Sequence, residues 1–338
     1  MESKKKNPFW EKAIPAILFI GIIFLNGCNV EKQEKKGFRI GILSGSSPFE
    51  NIADGFKTKI AEIGYIEGKN IVYDLHTIDV DPEGGKRILK KFVDDKVDLI
   101  FAFPTGPALS AKAAAQSSKI PVIFAFSTIE DNNLVDSIGT PGGHITGVRF
   151  PNPELTAKRF ELLLEFVPYA KRVYILYDPN YPSIPYALAA LRRAILDSSA
   201  TLIEAQVTSL KEIQAELDAR SALDDIGVDA ILIMPEILSQ SADGWAMISK
   251  FAGKHKLPVA GSAHFETDAG AIFSYIPDNI EMGKLAAPLA DKIFRGIPAG
   301  TIPVVTPNSI FRINYKSTQA LGLKVSEDLL AMADEIIR

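Results

Sequence analysis

The 338-residue chain is poor in the residues that catalytic and metal sites draw on, with one cysteine and four histidines. A single cysteine cannot close an intramolecular disulfide, so the body must hold itself by packing alone. His76, His144, His255 and His264 include no close-spaced pair on one helix, and no Cys/His set has zinc spacing. No G-x-S-x-G elbow, no G-x-x-x-x-G-K-[ST] loop and no G-x-G-x-x-G after a strand is present. Without a nucleophile and a base that can be paired, an enzyme assignment lacks its chemistry, and no cofactor is called for. Positive charge is also short: 37 Lys+Arg face 41 Asp+Glu, a formal net charge of -4. That leaves no basic surplus for gripping a phosphate backbone, which argues against a nucleic-acid partner.

What remains is an ordinary globular composition, 47% hydrophobic and 23% charged. At roughly 150 residues per domain, the length suggests two domains, each able to bury a core. Ahead of them, Lys4, Lys5, Lys6 and Lys12 precede an apolar run over residues 13–25, the layout of a secretory signal. Thirteen residues are too few for a spanning helix, which needs about 20. The run ends in Leu25-Asn26-Gly27-Cys28. This sequence resembles the lipobox of bacterial lipoproteins, although Asn26 departs from the small or β-branched residue usual there.

The resemblance implies acylation of Cys28, loss of residues 1–27, and a mature chain starting at Cys28. The other readings are an ordinary cleaved signal or an uncleaved anchor with a chance cysteine. Removing residues 1–27 takes away four Lys, Glu2 and Glu11, leaving 33 basic against 39 acidic side chains, a net of -6. Residues 28–37 have almost nothing apolar to bury and read as a solvated tether.

From Phe38 on, short β-branched or aromatic runs alternate with longer segments of helical period, the pattern of a parallel sheet covered by helices. The fold class is therefore α/β. Residues 38–43, 71–75 and 98–103 predict strands; residues 49–63 and 84–94 predict helices, the first closed by Gly64 as a C-cap. The second half repeats the series. Arg172, Asp229 and Pro258 echo Arg39, Asp98 and Pro121 at offsets of 133, 131 and 137 residues. Two doubly wound lobes in series place two sets of strand carboxyl ends in one molecule, where open α/β sheets bind ligands. Such lobes, facing each other, make a hinged trap.

Several stretches carry a further resemblance over nearly the whole mature length. They are Arg39-Ile40-Gly41-Ile42-Leu43, Gly64-Tyr65-Ile66-Glu67-Gly68-Lys69-Asn70, Val97-Asp98-Leu99-Ile100 and Ile120-Pro121-Val122-Ile123-Phe124-Ala125. Ile145-Thr146-Gly147-Val148, Lys171-Arg172-Val173, Leu176-Tyr177-Asp178-Pro179 and Leu321-Gly322-Leu323 complete the set. The chain resembles the ABC-transporter substrate-binding lipoproteins of tryptophan and tyrosine type, with a periplasmic-binding-protein type I fold. The resemblance implies chain crossings near Val148, Ile276 and Asn308. One lobe would be residues 38–148 with 277–306, and the other residues 149–276 with 309–338.

The loops after the strands carry the candidate ligand-binding residues. Thr105, before a helical run over residues 108–115, either caps that helix or helps its free N–H groups and positive dipole end take a ligand carboxylate. Ser46 and Ser47 follow the first strand, and Ser47 with Glu50 has capping-box spacing. Ser127 and Thr128 could donate hydrogen bonds to the same guest or serve only as turn residues. From the other half come Tyr177 and Tyr181, with Glu236 and Asp278 as the acids available to pair an ammonium. Phe49, Phe103, Phe126, Tyr181 and Phe265 cluster at strand ends and would suit an aromatic or branched apolar molecule, although single Phe residues of α/β folds are usually core.

Two departures from the resembled family bear on the ligand. Ser47 stands where many members carry histidine, and Pro235-Glu236-Ile237-Leu238 stands where Pro-Thr-Asp-Asn is common. The sequence thus predicts an exported, lipid-anchored, monomeric solute-binding protein of the cell envelope. It would bind an aromatic or branched amino acid or related carboxylate and deliver it to ABC permease and ATPase subunits. The alternative is a ligand-sensing receptor of a signalling system that uses the same cleft.

Overall fold

The computed structural model describes residues 37–338 except 80 and 131. The expected signal over residues 1–27, Cys28, and all of the expected tether but Gly37 lie outside the described residues. The first sheet contains β1 (Phe38–Ser44), β2 (Ile71–Thr77), β3 (Leu99–Phe103), β4 (Val122–Ser127) and β5 (Ile145–Arg149). Between them run α1 (Glu50–Ile63), α2 (Pro82–Asp94) and α3 (Thr105–Ala114). The order β2-β1-β3-β4-β5 is parallel throughout.

After β5, α4 (Asn152–Phe166) leads to β6 (Arg172–Tyr177), α5 (Ile184–Ile195), β7 (Thr201–Gln206), α6 (Leu210–Ser221) and β8 (Ala230–Leu232). Next come α7 (Ile237–Gln240), α8 (Ala242–His255), β9 (Val259–Gly261), α9 (His264–Asp268), β10 (Phe273–Ile276) and α10 (Asn279–Phe294). The chain ends with β11 (Ile310–Asn314), α11 (Tyr315–Ala320), α12 (Glu327–Met332) and β12 (Glu335–Ile337). The second sheet has the order β12-β11-β10-β9-β8-β6-β7. The α/β class with two lobes is as the sequence predicts. One pairing differs: β11 runs antiparallel to β10. The chain reaches β11 from beside the first sheet, after α10, rather than through a helical crossover within the second lobe.

Strand alternation divides each sheet's side chains between two apolar layers. In the first, Ile40, Ile42, Phe101 and Phe103 face α1 and α10, while Leu43, Ile100 and Ala102 face α2 and α3. In the second, Val173, Ile175 and Tyr177 lie on one side, with Tyr174 and Leu176 on the other. β3 lies between two neighbours and under both layers, so its five residues are all buried. This explains its continuous apolar sequence. Full burial of each Leu, Ile or Phe contributes about 1.5–3 kcal/mol against chain entropy.

Two glycines set where α10 sits. A Cβ at Gly55 of α1 would collide with the Ile280 carbonyl, and one at Gly283 of α10 with the Ile52 carbonyl. Backbones can approach this closely only where neither residue has a side chain. Residues 302–305 then run beside β5: Arg149 N–H donates to Val305 O and Val305 N–H to Gly147 O, both at 2.9 Å. Three segments, residues 149–152, 276–279 and 306–310, connect elements packed on the first sheet with elements packed on the second. Arg149 ties two of them, donating through Nε to Thr306 Oγ1 at 2.9 Å and through its other nitrogens to Glu130 at 3.0 Å and Glu154 at 2.6 Å.

Candidate functional site

The carboxyl ends of both sheets open on one cleft, a cavity of about 390 Å³. That volume falls within the range of small-molecule sites. From the first lobe, Ser46 and Phe49 follow β1, Ile78 and Pro82 follow β2, and Thr105 begins α3. From the second, Tyr181 and Ser183 follow β6, while Pro235, Ile237 and Gln240 follow β8.

One wall is a cluster of three rings, two of them stacked. Phe126 lies nearly parallel to Phe150, with centroids 4.3 Å apart and planes at 12°, and contacts Phe49 at 4.8 Å. Its position depends on an irregular backbone. The register of β4 against β5 shifts between Phe124 and Ser127, and Phe126 takes a left-handed φ of 48°. Regular alternation would send Phe126 to the side of Phe124. The bulge instead packs it against the layer of Ile123 and Ala125, at the cleft. A non-glycine residue held left-handed is a local strain that its surroundings must impose.

Beside the rings lies a small polar patch. Thr105 Oγ1 accepts the Thr128 backbone N–H at 3.1 Å and lies 3.3 Å from Thr128 Oγ1. Thr105 is the first residue of α3, and its side chain makes no capping bond to that helix. The helix begins three residues earlier than periodicity predicts, because Thr105 and Gly106 already adopt helical geometry before Pro107. On the facing wall, Tyr181 is half-buried, and burial pushes its phenol up to about 12. Such a hydroxyl stays protonated and able to donate across the physiological range.

The candidate residues thus divide. Ser46, Phe49, Thr105, Thr128 and Tyr181 come together as cleft walls, together with Phe126. Ser47 does not line the cavity: its N–H and hydroxyl both donate to Asp79 Oδ1 at 3.0 Å. The expected capping box with Glu50 is absent for the same reason, and Glu50 instead accepts the Thr77 hydroxyl at 2.6 Å. Phe103 is fully buried against Phe101, with centroids 5.0 Å apart. Ser127 is also buried, its hydroxyl returned to the Ala125 carbonyl at 2.9 Å.

Tyr177 lies in the second lobe's core and donates to Glu204 at 2.7 Å, a carboxylate also held by Arg192. Phe265 packs edge-on to Trp245, away from the cavity lining. The two acids are likewise engaged. Glu236 is 1% exposed and caps α7, accepting the Leu238 and Ser239 N–H groups at 2.6 Å. Burial pushes its carboxyl up, against those hydrogen bonds. Asp278 caps α10 through the Glu281 N–H at 2.9 Å. Sequence reasoning did not select Ile78, Pro82, Phe150, Ser183, Ile237 or Gln240. Most follow strands in the loops it surveyed, but apolar and proline side chains there carry no chemical signature.

Comparison with known proteins follows the geometry. A family profile described as ABC transporter substrate binding protein matches residues 40–337. A protein named tyrosine-binding protein, from Clostridioides difficile strain R20291, is 27% identical over 327 residues, covering 91% of each chain. Among solved structures, the ABC domain in complex with L-Trp from Streptococcus pneumonia superposes with a TM-score of 0.75 at 23% identity, covering 89% of this chain and 100% of that one. A ligand-free, open substrate binding protein with adhesive properties from Clostridium difficile gives 0.69 at 22% identity, covering 89% and 99%. At these identities the superpositions establish a shared fold, the two-lobed periplasmic-binding-protein type I architecture.

Proposed function

Because this chain belongs to the ABC transporter substrate binding protein family, we propose that it is the extracytoplasmic solute receptor of an ABC importer, closing its lobes on a small apolar organic molecule. The observation that carries this reading is a single cavity walled by the strand-following loops of both sheets. Hinged closure draws support from the three thin connections between the lobes, a layout in which a few backbone torsions can absorb a large rotation. On this reading, Phe49, Phe126 and Tyr181 embrace the apolar body of the solute, and Ser46, Thr105 and Thr128 meet its polar end. Tyrosine in the name of one relative and L-Trp in one related structure support an aromatic solute, an amino acid or a related carboxylate, and the aliphatic part of the wall also suits a branched one. Membership of an ABC transporter substrate binding protein family supports delivery of the solute to permease and ATPase subunits.

Thermal-shift screening of amino acids, aromatic acids and nucleosides tests the receptor role. A true solute at about 100 times its Kd adds about 2.7 kcal/mol of stability, and a screen in which nothing shifts the transition would reject the reading. Anchorage through Cys28 is a separate part of the proposal. Cys28→Ser is expected to release the protein from membranes, and continued retention would rule out acylation as the tether.

A further inference from the structure

The charge of the cleft lining bears on which solutes it accepts. Among the described residues, its walls are rings, aliphatic side chains, hydroxyls and one amide, and no acid or base lines it. The acids that flank the cleft each accept hydrogen bonds from nearby loop or helix-start groups. Asp79 accepts the Ser47 N–H and hydroxyl, and Asp178 accepts the Asn180 N–H at 2.9 Å. Glu236 spends both oxygens on the start of α7, Asp278 caps α10 through Oδ1, and neither lines the cavity. Next to Glu236, where an acid could face the cavity, the chain presents Ile237, 43% exposed in the wall.

We propose that the solute carries no ammonium group: it is an apolar aromatic or branched carboxylate, or a neutral compound of similar shape, rather than a free amino acid. This rests on the receptor reading above. An ammonium enclosed here would lose its hydration and find no carboxylate to replace it, which is strongly unfavourable, whereas a carboxylate can meet the uncapped N–H groups and positive dipole end of α3 at Thr105 and Gly106, both in the wall. Hydroxyls and the Gln240 amide can satisfy a neutral polar group. Rejection of a zwitterion by leaving its cationic half unpaired is a form of specificity that needs no steric clash.

The test is calorimetric titration of the detergent-solubilised full chain with matched pairs that differ only in the amino group. Suitable pairs are L-phenylalanine with 3-phenylpropanoate, L-tryptophan with 3-(indol-3-yl)propanoate, and L-leucine with 4-methylpentanoate. The des-amino member of a binding pair is expected to be tighter by at least about tenfold, corresponding to about 1.4 kcal/mol. An amino acid that binds as tightly as its des-amino partner overturns the inference and leaves the receptor reading intact. Failure of every compound in both series refutes the receptor reading for these solutes and removes the inference with it. Ile237→Asp, checked for native circular dichroism, should move the affinity ratio toward the amino acid by about tenfold. A ratio unmoved in the folded variant would also overturn the inference.

Discussion

The ring wall of the cleft makes an unusual demand on backbone conformation, and paired substitutions at Phe126 can measure it. Truncation to alanine removes the contacts with Phe49 and Phe150, at 4.8 and 4.3 Å between centroids. Each aromatic pair is worth about 0.5–1.5 kcal/mol beyond area burial. With the lost apolar area of a half-buried ring, Phe126→Ala should destabilise by about 2–3 kcal/mol. Alanine would still be held at the left-handed φ of 48°. That conformation costs an L-residue roughly 1–2 kcal/mol and a glycine almost nothing. Elsewhere glycine is the less stable choice by about 0.5–1 kcal/mol, because it loses more freedom on folding.

The two terms oppose each other, so Phe126→Gly should equal Phe126→Ala in stability or exceed it by up to about 1.5 kcal/mol, an inversion of the usual order. Denaturant midpoints, compared at a common m-value, read the difference directly. Both variants should also weaken solute binding, since both remove the same ring. If alanine proves more stable than glycine by the ordinary margin, the bulge does not strain Phe126, and the account of how it reaches the cleft is wrong.

Four further perturbations separate site from scaffold. Thr105→Val strands the Thr128 N–H and should lose about 1–3 kcal/mol of stability with about tenfold weaker solute binding; Asp278→Ala should lose about 1 kcal/mol as a missing cap with affinity unchanged, and the reverse pattern in titrations would reject both placements. Glu266 is fully buried, and burial pushes its carboxyl up to about 7 from an ordinary 4.5, against the Arg159 charge and the Ser262 and Ala263 N–H groups. Folding therefore binds its proton: the contribution is complete below about pH 4.5 and is lost as pH rises through about 7, roughly 3 kcal/mol in all. Equilibrium unfolding across that window that shows no such decline would count against it. Gly283→Ala should destabilise by more than about 1–3 kcal/mol, since its Cβ meets the Ile52 carbonyl rather than a yielding side chain; a neutral denaturation midpoint would show that α10 can slide on α1.

The periodic parts of the structure were legible because a strand buried on both faces has few other ways to be written. The apolar run ending β3 and its counterpart in β8 announce the same step of two sheets, and the offsets near 133 residues expose the doubled plan. The antiparallel β11 was not legible, since its direction depends on which side of the molecule the chain enters from, and no local residue encodes that. Cavity-lining residues were legible where a polar or aromatic side chain follows a strand directly, as with Ser46, Phe49, Thr105, Thr128 and Tyr181.

The acids show why such placement does not suffice. Glu236 and Asp278 follow strands as a ligand-pairing carboxylate would, yet a loop that turns at once into a helix offers a nearer claim, the unsatisfied N–H groups of that helix's first turn. A side chain one residue from the cleft is thus drawn away by the element it starts, and the next residue inherits the wall. In this chain the inheritor is Ile237, so the same local rule that removes the acid leaves an apolar side chain in its place. Spacing alone cannot distinguish a cap from a ligand contact. The difference lies in whether the backbone after the acid turns helical before the side chain can reach the cavity.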